Sequence, residues 1–246
     1  MSNLVTASYL IIGDEILSGR TQDKNLNFIA KELVEMGINL KEVRVVPDDE
    51  DEIILAVNEL RKKYNYLFTT GGIGPTHDDI TSLSIARAFN DELIKNKEAE
   101  QILIDYYGQN NVNEARLKMA YVPSQARLLD NPVSSAPGFI IDNVIVMAGV
   151  PKIMQYMFEA AKKDLKSGIK IKSMEIRISI TESVIAKDLE NTQNKYIDLS
   201  VGSYPFAGGT SLIFRGGDII ILSNAVDEMV NILNLKHKNS IIKINK

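Results

Sequence analysis

Residues 66–81 read Tyr66-Leu67-Phe68-Thr69-Thr70-Gly71-Gly72-Ile73-Gly74-Pro75-Thr76-His77-Asp78-Asp79-Ile80-Thr81. The apolar run Tyr66–Phe68 reads as a buried strand, and Leu83, Ile85, Ala86 and Phe89 beyond the loop suggest a helix. Between strand and helix, Gly71, Gly72 and Gly74 let a ligand approach the backbone closely. Peptide N–H groups and the following helix N-terminus can then cradle phosphate oxygens. A glycine triplet also makes an ordinary turn, so the loop alone leaves both readings open.

Toward the N-terminus the same order repeats. Tyr9–Ile12 is a short apolar run ending at Gly13, and Leu26, Ile29, Ala30 and Leu33 recur at helical spacing until Gly37. Leu40, Val43, Val45 and Val46 form a second strand before Pro47, after which Asp48 or Asp49 can cap a helix carrying Ile53, Ile54, Val57 and Leu60. Strand, helix, strand, helix, strand with short connections predicts an α/β domain whose mostly parallel sheet is covered on both faces. Downstream, helical patterns at Ala99–Tyr107 and Val112–Met119 precede strands at Ala126–Leu129, Phe139–Ile141 and Val144–Met147. A helix then starts at Pro151, with an apolar face running to Leu165 and an end at Gly168.

From Ser173 the pattern changes to alternation, with Met174, Ile176, Ile178 and Ile180 on one side and Glu175, Arg177 and Ser179 on the other. A helix at Glu182–Leu189, strands near Ile197–Val201 and Ser211–Arg215, and a helix from Asp218 to Leu235 follow, with Ile219–Leu222 readable as strand or helix. The expected division is a first domain over residues 1–168 and a small α+β domain over 169–246, ending in a solvated lysine-rich tail from Lys236.

With 246 residues, two folding units are the natural expectation. A net charge of −4 gives no general electrostatic reason to bind nucleic acid or an anionic membrane, and the absence of cysteine excludes disulfides, thiolate metal sites and a cysteine nucleophile. Met1–Thr6 carry no basic export region, and no apolar run approaches the roughly 20 residues of a membrane span, so a cytoplasmic setting is expected.

Ligands of parallel sheets bind beyond the carboxyl ends of the strands, where Gly13–Gly19, Pro47–Asp49 and Gly71–Thr81 converge. Asp14, Asp48, Asp78 and Asp79 would repel a phosphate there unless a cation intervened, which predicts magnesium or a similar hard metal. Against this, Asp48 alone suits a helix cap, and Asp78 or Asp79 suits a cap as well as a metal. Glu15 and Asn25 fit solvated loop positions as well as ligand contacts. His77 is expected to be an exposed loop residue, and with only two histidines a histidine metal cluster has little support.

Together, Gly13-Asp14-Glu15-Ile16-Leu17-Ser18-Gly19, Asn25 and Gly71–Thr81 resemble the molybdopterin-binding domain of molybdenum-cofactor biosynthesis proteins. Asn131-Pro132-Val133, Ala136-Pro137-Gly138-Phe139 and Gly149-Val150-Pro151 are similar to its version in the competence/damage-inducible protein A (CinA) family, which also occurs at the front of some eukaryotic FAD synthases. Thr181–Ala186 and Gly202–Phe206 resemble the small second domain of that group. The resemblance implies catalytic roles for Asp48 and Asp79, and metal binding by Asp48, Asp78 and Asp79. It implies ligand or phosphate contacts from Gly13, Glu15, Ser18, Gly19, Asn25, Gly71, Gly72, Gly74, Pro75, Thr76 and Thr81.

Some members of the CinA group hydrolyse the pyrophosphate of ADP-ribose or FAD with a divalent metal, often cobalt, and potassium. The resemblance therefore implies a metal-dependent nucleotide pyrophosphatase, with a non-catalytic pterin-phosphate-binding protein as the alternative. It is compatible with a dimer or trimer. An interaction protein with a vestigial pocket is a third class, against which the intact Asp48, Asp79 and glycine loop argue. The sequence shows neither the amidase domain that many CinA proteins carry nor the adenylyl-transfer domain of the FAD synthases, so amidase activity on nicotinamide mononucleotide is not expected.

Overall fold

The computed structural model describes residues 4–245 and divides the chain into two compact units, Met1–Gly168 and Ile169–Lys246. In the first unit, β1 (Thr6–Ile12) leads through the one-turn α1 (Asp14–Leu17) to α2 (Asn25–Glu35), β2 (Asn39–Val46), α3 (Glu50–Lys63), β3 (Tyr66–Thr70) and α4 (Thr81–Ala88). A small lobe follows: β4 (Leu93–Lys95), α5 (Lys97–Tyr107), α6 (Glu114–Lys118) and β5 (Tyr121–Pro123), with β4 and β5 antiparallel. The unit closes with β6 (Arg127–Leu129), β7 (Gly138–Ile141), β8 (Val144–Met147) and α7 (Pro151–Ala161). Its six-stranded sheet has the order β2-β1-β3-β8-β7-β6, parallel from β2 to β8 and antiparallel on either side of β7.

The continuous apolar run of β1 follows from burial on both faces. Tyr9 and Ile11 pack with Phe68, Ile29 and Leu33 of α2, and Met154 and Phe158 of α7. Leu10 and Ile12 point the other way, onto Ile53, Val57 and Leu60 of α3 and Ile85 of α4. Helix, sheet, helix is therefore the layering. Phe158 is central on the first side, its ring centroid 5.6 Å from that of Phe68 and 5.8 Å from that of Phe28. The edge strand β2 carries charge rather than apolar surface: Glu42 accepts from Arg44, Lys63 and Tyr64, which hold its carboxyl down at about 2. Such an edge discourages pairing with another strand.

The second unit is a four-stranded antiparallel sheet, order β10-β11-β9-β12, covered by two helices. Its elements are β9 (Lys172–Ile178), α8 (Glu182–Lys195), β10 (Ser200–Phe206), β11 (Gly209–Gly216), α9 (Ile219–Lys236) and β12 (Ile241–Asn245). Met174, Ile176 and Ile178 alternate onto a core with Leu212, Phe214, Ile185, Val226 and Met229. Asp218 caps α9 by accepting from the amides of Ile220 and Ile221, at 2.8 and 3.2 Å, so Ile219–Leu222 is helical.

Three expectations are corrected, and two short strands went unread. The segment after Lys236 is not simply a solvated tail: Ile241–Asn245 pair with β9, and the amide of Ser179 donates to the Ser240 carbonyl at 2.8 Å. Lys246 lies outside the described residues. The strand placed near Ile197 begins at Ser200, leaving Ile197 exposed in the preceding turn. The helix from Pro151 ends at Ala161, and Leu165 is buried beyond a short 3-10 turn at Lys162–Asp164. Strands β4 and β5, at three residues each, were too short to show a period.

A chain ending at Asn239 loses β12 and bares one edge of β9. It is expected to lower the stability of the second unit by about 1–3 kcal/mol, read as faster amide exchange across β9. Unchanged protection there would show that β12 contributes nothing to the sheet.

Candidate active site

Three loops meet at the carboxyl ends of β1, β2 and β3. The Gly13 amide donates to the Val46 carbonyl at 3.1 Å, and the Asp14 amide donates to Oδ2 of Asp48 at 3.1 Å, so the β1 and β2 loops are tied together. The Gly71 amide donates to the Met147 carbonyl at 3.2 Å, which joins the β3 loop to β8. A Cβ at Gly71 would lie 2.0 Å from the Ile12 carbonyl oxygen, and φ there is +103°. A Cβ at Gly72, where φ is +64°, would lie 2.1 Å from Oγ1 of Thr81. Both glycines are therefore required by close approach as well as by backbone conformation.

The loop then turns into α4 with three backbone donors unspent. Among the described residues, the amides of Gly72, Ile73 and Gly74 donate to no other group of the chain. The Thr81 amide donates back to the Gly72 carbonyl at 3.0 Å, and Thr81 Oγ1 is buried without a partner. Successive unspent amides of this kind form an anion-binding concavity.

The aspartates divide their work differently from the expected capping roles. Asp49, not Asp48, caps α3, accepting from the Glu52 amide at 3.1 Å. Neither Asp78 nor Asp79 caps α4, whose N-cap position is Ile80. Asp79 Oδ2 instead accepts from the Thr76 amide at 2.8 Å and the Thr76 hydroxyl at 2.5 Å, closing the Thr76–Asp79 turn. Asp48 is half-buried, and its carboxyl is held above the usual aspartate value, chiefly by burial; the Asp14 amide opposes this, while Asp14, Glu15 and Asp78 reinforce it by repulsion. Asp78 is exposed and held below the usual value by the Thr76 hydroxyl, with His77 and Lys118 contributing.

Two clefts meet along Glu15, Gly71 and Gly149. One, of about 360 Å³, runs over the glycine loop from Glu15 to Asp79 beneath Met119, Val150 and Ile153. The other, about 220 Å³, is lined by Glu15, Thr21–Asn25, Thr70 and Gly149. In its wall Asn25 is buried, with its amide donating to the Gly149 carbonyl at 2.8 Å and its Oδ1 unpartnered. Beneath it, Tyr9 and Thr70 share a 2.6 Å hydrogen bond, and burial raises the Tyr9 hydroxyl well above its ordinary range.

Of the residues expected at the site, the structure brings Glu15, Asn25, Gly71, Gly72, Gly74, Pro75 and Asp79 onto these clefts, while Asp48 is bonded to the Asp14 amide and lies within electrostatic reach of Glu15 and Asp78. Gly13 is buried beneath Glu15, and Thr76 acts through Asp79. Ser18 and Gly19 sit at an exposed loop tip and line neither cleft. His77 is exposed, as the sequence predicts. Sequence reading missed Lys118, whose ammonium donates to the Thr76 carbonyl from the end of α6, because a lysine in an amphipathic pattern carries no local signal of its destination.

A family described as a probable molybdopterin binding domain matches residues 8–167 of this chain. The chain belongs to this family. Residues 170–240 match the middle domain of FAD synthase, so both units have counterparts in known proteins. The molybdopterin-binding-domain assignment is joined by CinA-like relatives. A CinA-like protein of Kosmotoga olearia is 38% identical over 161 residues, covering 63% of this chain and 39% of its own length. The crystal structure of CinA from Thermoplasma acidophilum is similar at 36% identity and a TM-score of 0.61, over 65% of this chain and 98% of that one. A protein of Archaeoglobus fulgidus is 33% identical over 231 residues, 92% of this chain and 96% of that relative. The chain thus spans nearly all of the Archaeoglobus protein but less than half of the Kosmotoga one. Among the described residues, no helix is long and apolar enough to cross a membrane.

The raised Asp48 carboxyl has a consequence for stability. Because its folded value lies above the unfolded one, its ionisation works against folding at neutral pH, and that cost disappears as pH falls below the unfolded aspartate value of about 3.9. Asp48→Asn, whose side-chain carbonyl can still accept from the Asp14 amide, is therefore expected to melt no lower than the parent at pH 7 without added metal. The two should converge at acid pH. A variant melting several degrees lower at pH 7 would refute the electrostatic account.

Proposed function

We propose that the chain is a metal-dependent hydrolase of a nucleotide pyrophosphate, of the ADP-ribose or FAD type. The observation that carries this reading is the facing of opposites: unspent amides at Gly72–Gly74 invite phosphate oxygens, while Glu15 and Asp79 line the same cleft and Asp48 lies within electrostatic reach of Glu15, Asp14 and Asp78. A phosphate can settle against both only with a cation between them.

Among the described residues no three acids or histidines stand close enough to hold a metal ion by themselves. That arrangement suits a hard cation such as magnesium, which takes one or two protein carboxylates and completes its shell with water and substrate phosphates. Asp48 and Asp78 are the residues that would hold it, while Asp79 closes the Thr76 turn next to Asp78 in the chain. When bound, the ion supplies charge neutralisation and a more acidic water. The chain's own part is to bind and orient. Loop amides take up charge on the non-bridging oxygens as water adds to one phosphorus, the bridging P–O bond breaks and its electron pair leaves with the second phosphate. In this reading the proton of that water passes to the Asp48 carboxyl, which burial holds above the usual aspartate value. Two monophosphates result.

The family match favours a second reading, a molybdopterin or pterin-phosphate binding protein that uses the same cleft without turnover. Product analysis separates the two. Pure protein with ADP-ribose, potassium and either magnesium or cobalt is expected to release AMP and ribose 5-phosphate in proportion to protein. Asp48→Asn and Asp79→Asn are expected to lower that rate by roughly 100-fold or more, while each keeps a melting temperature near that of the parent. Asp79 also closes the Thr76 turn, so Asp48→Asn, whose carbonyl still accepts from the Asp14 amide, is the more diagnostic variant: its loss of activity in a folded protein points to ligand chemistry. Fully active variants would remove these acids from the mechanism, and a parent that neither turns over nor is stabilised by any nucleotide would leave the pterin reading.

A further inference from the structure

A third cavity, of about 390 Å³, lies on the far side of the glycine loop, between α4, α6 and the β4–β5 pair. It shares Ile73, Gly74 and Asp79 with the cleft over the loop, so the two spaces are back to back across the same three residues. The end of α6 stands between them. Lys118 faces the third cavity, and the next residue, Met119, faces the cleft. Asp79 lines both, but they differ in their other charged residues: the cleft over the loop adds Glu15 and no basic residue, whereas the third cavity adds Lys118 and His77, with an apolar floor of Leu83 and Leu93. Each volume falls within the ~300–1,000 Å³ of small-molecule sites.

We infer that this third cavity is a second subsite, which takes the other half of a two-headed pyrophosphate ligand: a nucleoside or sugar monophosphate whose ring lies on the apolar floor and whose phosphate faces Lys118. The inference rests on the pyrophosphate reading of the loop. A ligand with two phosphates linked at Gly72–Gly74 has one end directed into each space, and the phosphate on the side of the third cavity meets Lys118, a basic group that the cleft over the loop lacks. Lys118 is already held at the loop by its bond to the Thr76 carbonyl, which also fixes it beside the turn that Asp79 closes. A single-headed phosphate can fill only one of the two spaces. The site should therefore prefer ligands with two ends.

Calorimetry with magnesium present tests this with ADP-ribose against ADP and ribose 5-phosphate. The parent protein is expected to bind ADP-ribose at least tenfold more tightly than either, since joining two occupied subsites adds contacts without a second association cost. Ser82→Phe, which places a ring in the third cavity from α4, should shrink that margin toward unity. Lys118→Gln should shrink it several-fold and flatten its dependence on salt. Each variant is accepted only if its melting transition remains cooperative, and Lys118→Gln, at a half-buried surface position, supplies the test if the larger change fails to fold. A margin absent from the parent, or retained in the folded variants, would overturn the inference. The hydrolase reading is judged separately: a margin without product leaves the subsite standing and hydrolysis refuted, whereas product without a margin does the reverse.

Discussion

There is no room for a carbon atom at Gly71. The β3 loop passes so close beneath the end of β1 that a side chain there would enter the Ile12 carbonyl, and the positive φ excludes most residues in any case. That contact lets the loops after β1, β2 and β3 share one mouth. The Asp14–Asp48 bond and the Gly71–Met147 bond then fasten the neighbours on either side. The double-sided core supports this geometry from below: Tyr9, Phe68 and Phe158 on one face and Leu10, Leu67 and Leu60 on the other leave β1 and β3 little freedom to shift.

On that frame the site combines features that oppose one another without a ligand. Unspent amides favour anions, while Asp14, Glu15 and Asp78 repel the Asp48 carboxylate and would repel an anion near it. A protein optimised only for stability would remove the acids or spend the amides on its own carbonyls. The Thr76–Asp79 turn has the opposite character, since it satisfies its own hydrogen bonds and holds the loop's shape. Lys118 fastens that turn to α6, so the small lobe is tied to the loop beside which its residues stand.

The centre of the large sheet was legible because β1, β3 and β8 are buried on both faces and carry short apolar runs, those of β1 and β3 leading into glycine loops. The second unit was legible because Met174, Ile176 and Ile178 alternate with polar neighbours. The caps were harder, since Asp48-Asp49 and Asp78-Asp79 are adjacent pairs of equally good capping residues. Which member turns toward the helix is decided by a backbone torsion, and at α4 neither does. Ile241-Ile242-Lys243-Ile244 gave no clean period because the register shifts between Ile241 and Lys243. Lys118 and the cavity it lines depend on where α6 lands, a tertiary fact with no local trace. The resemblance to the molybdopterin-binding domain pointed to the glycine loop, which lines the cleft, and to Ser18 and Gly19, which lie exposed in a turn outside both clefts.

Strand β12 has a further meaning for how the chain comes to be folded. It joins β9 from some 60 residues away, the most distant pairing in its sheet, so the sheet of the second unit cannot be completed until residue 245 has been made. Until then β9 has an unpaired edge, with Ile176 and Ile178 in the strand that bears it. During synthesis, that edge is open to any strand that reaches it first, including the same strand of a neighbouring chain.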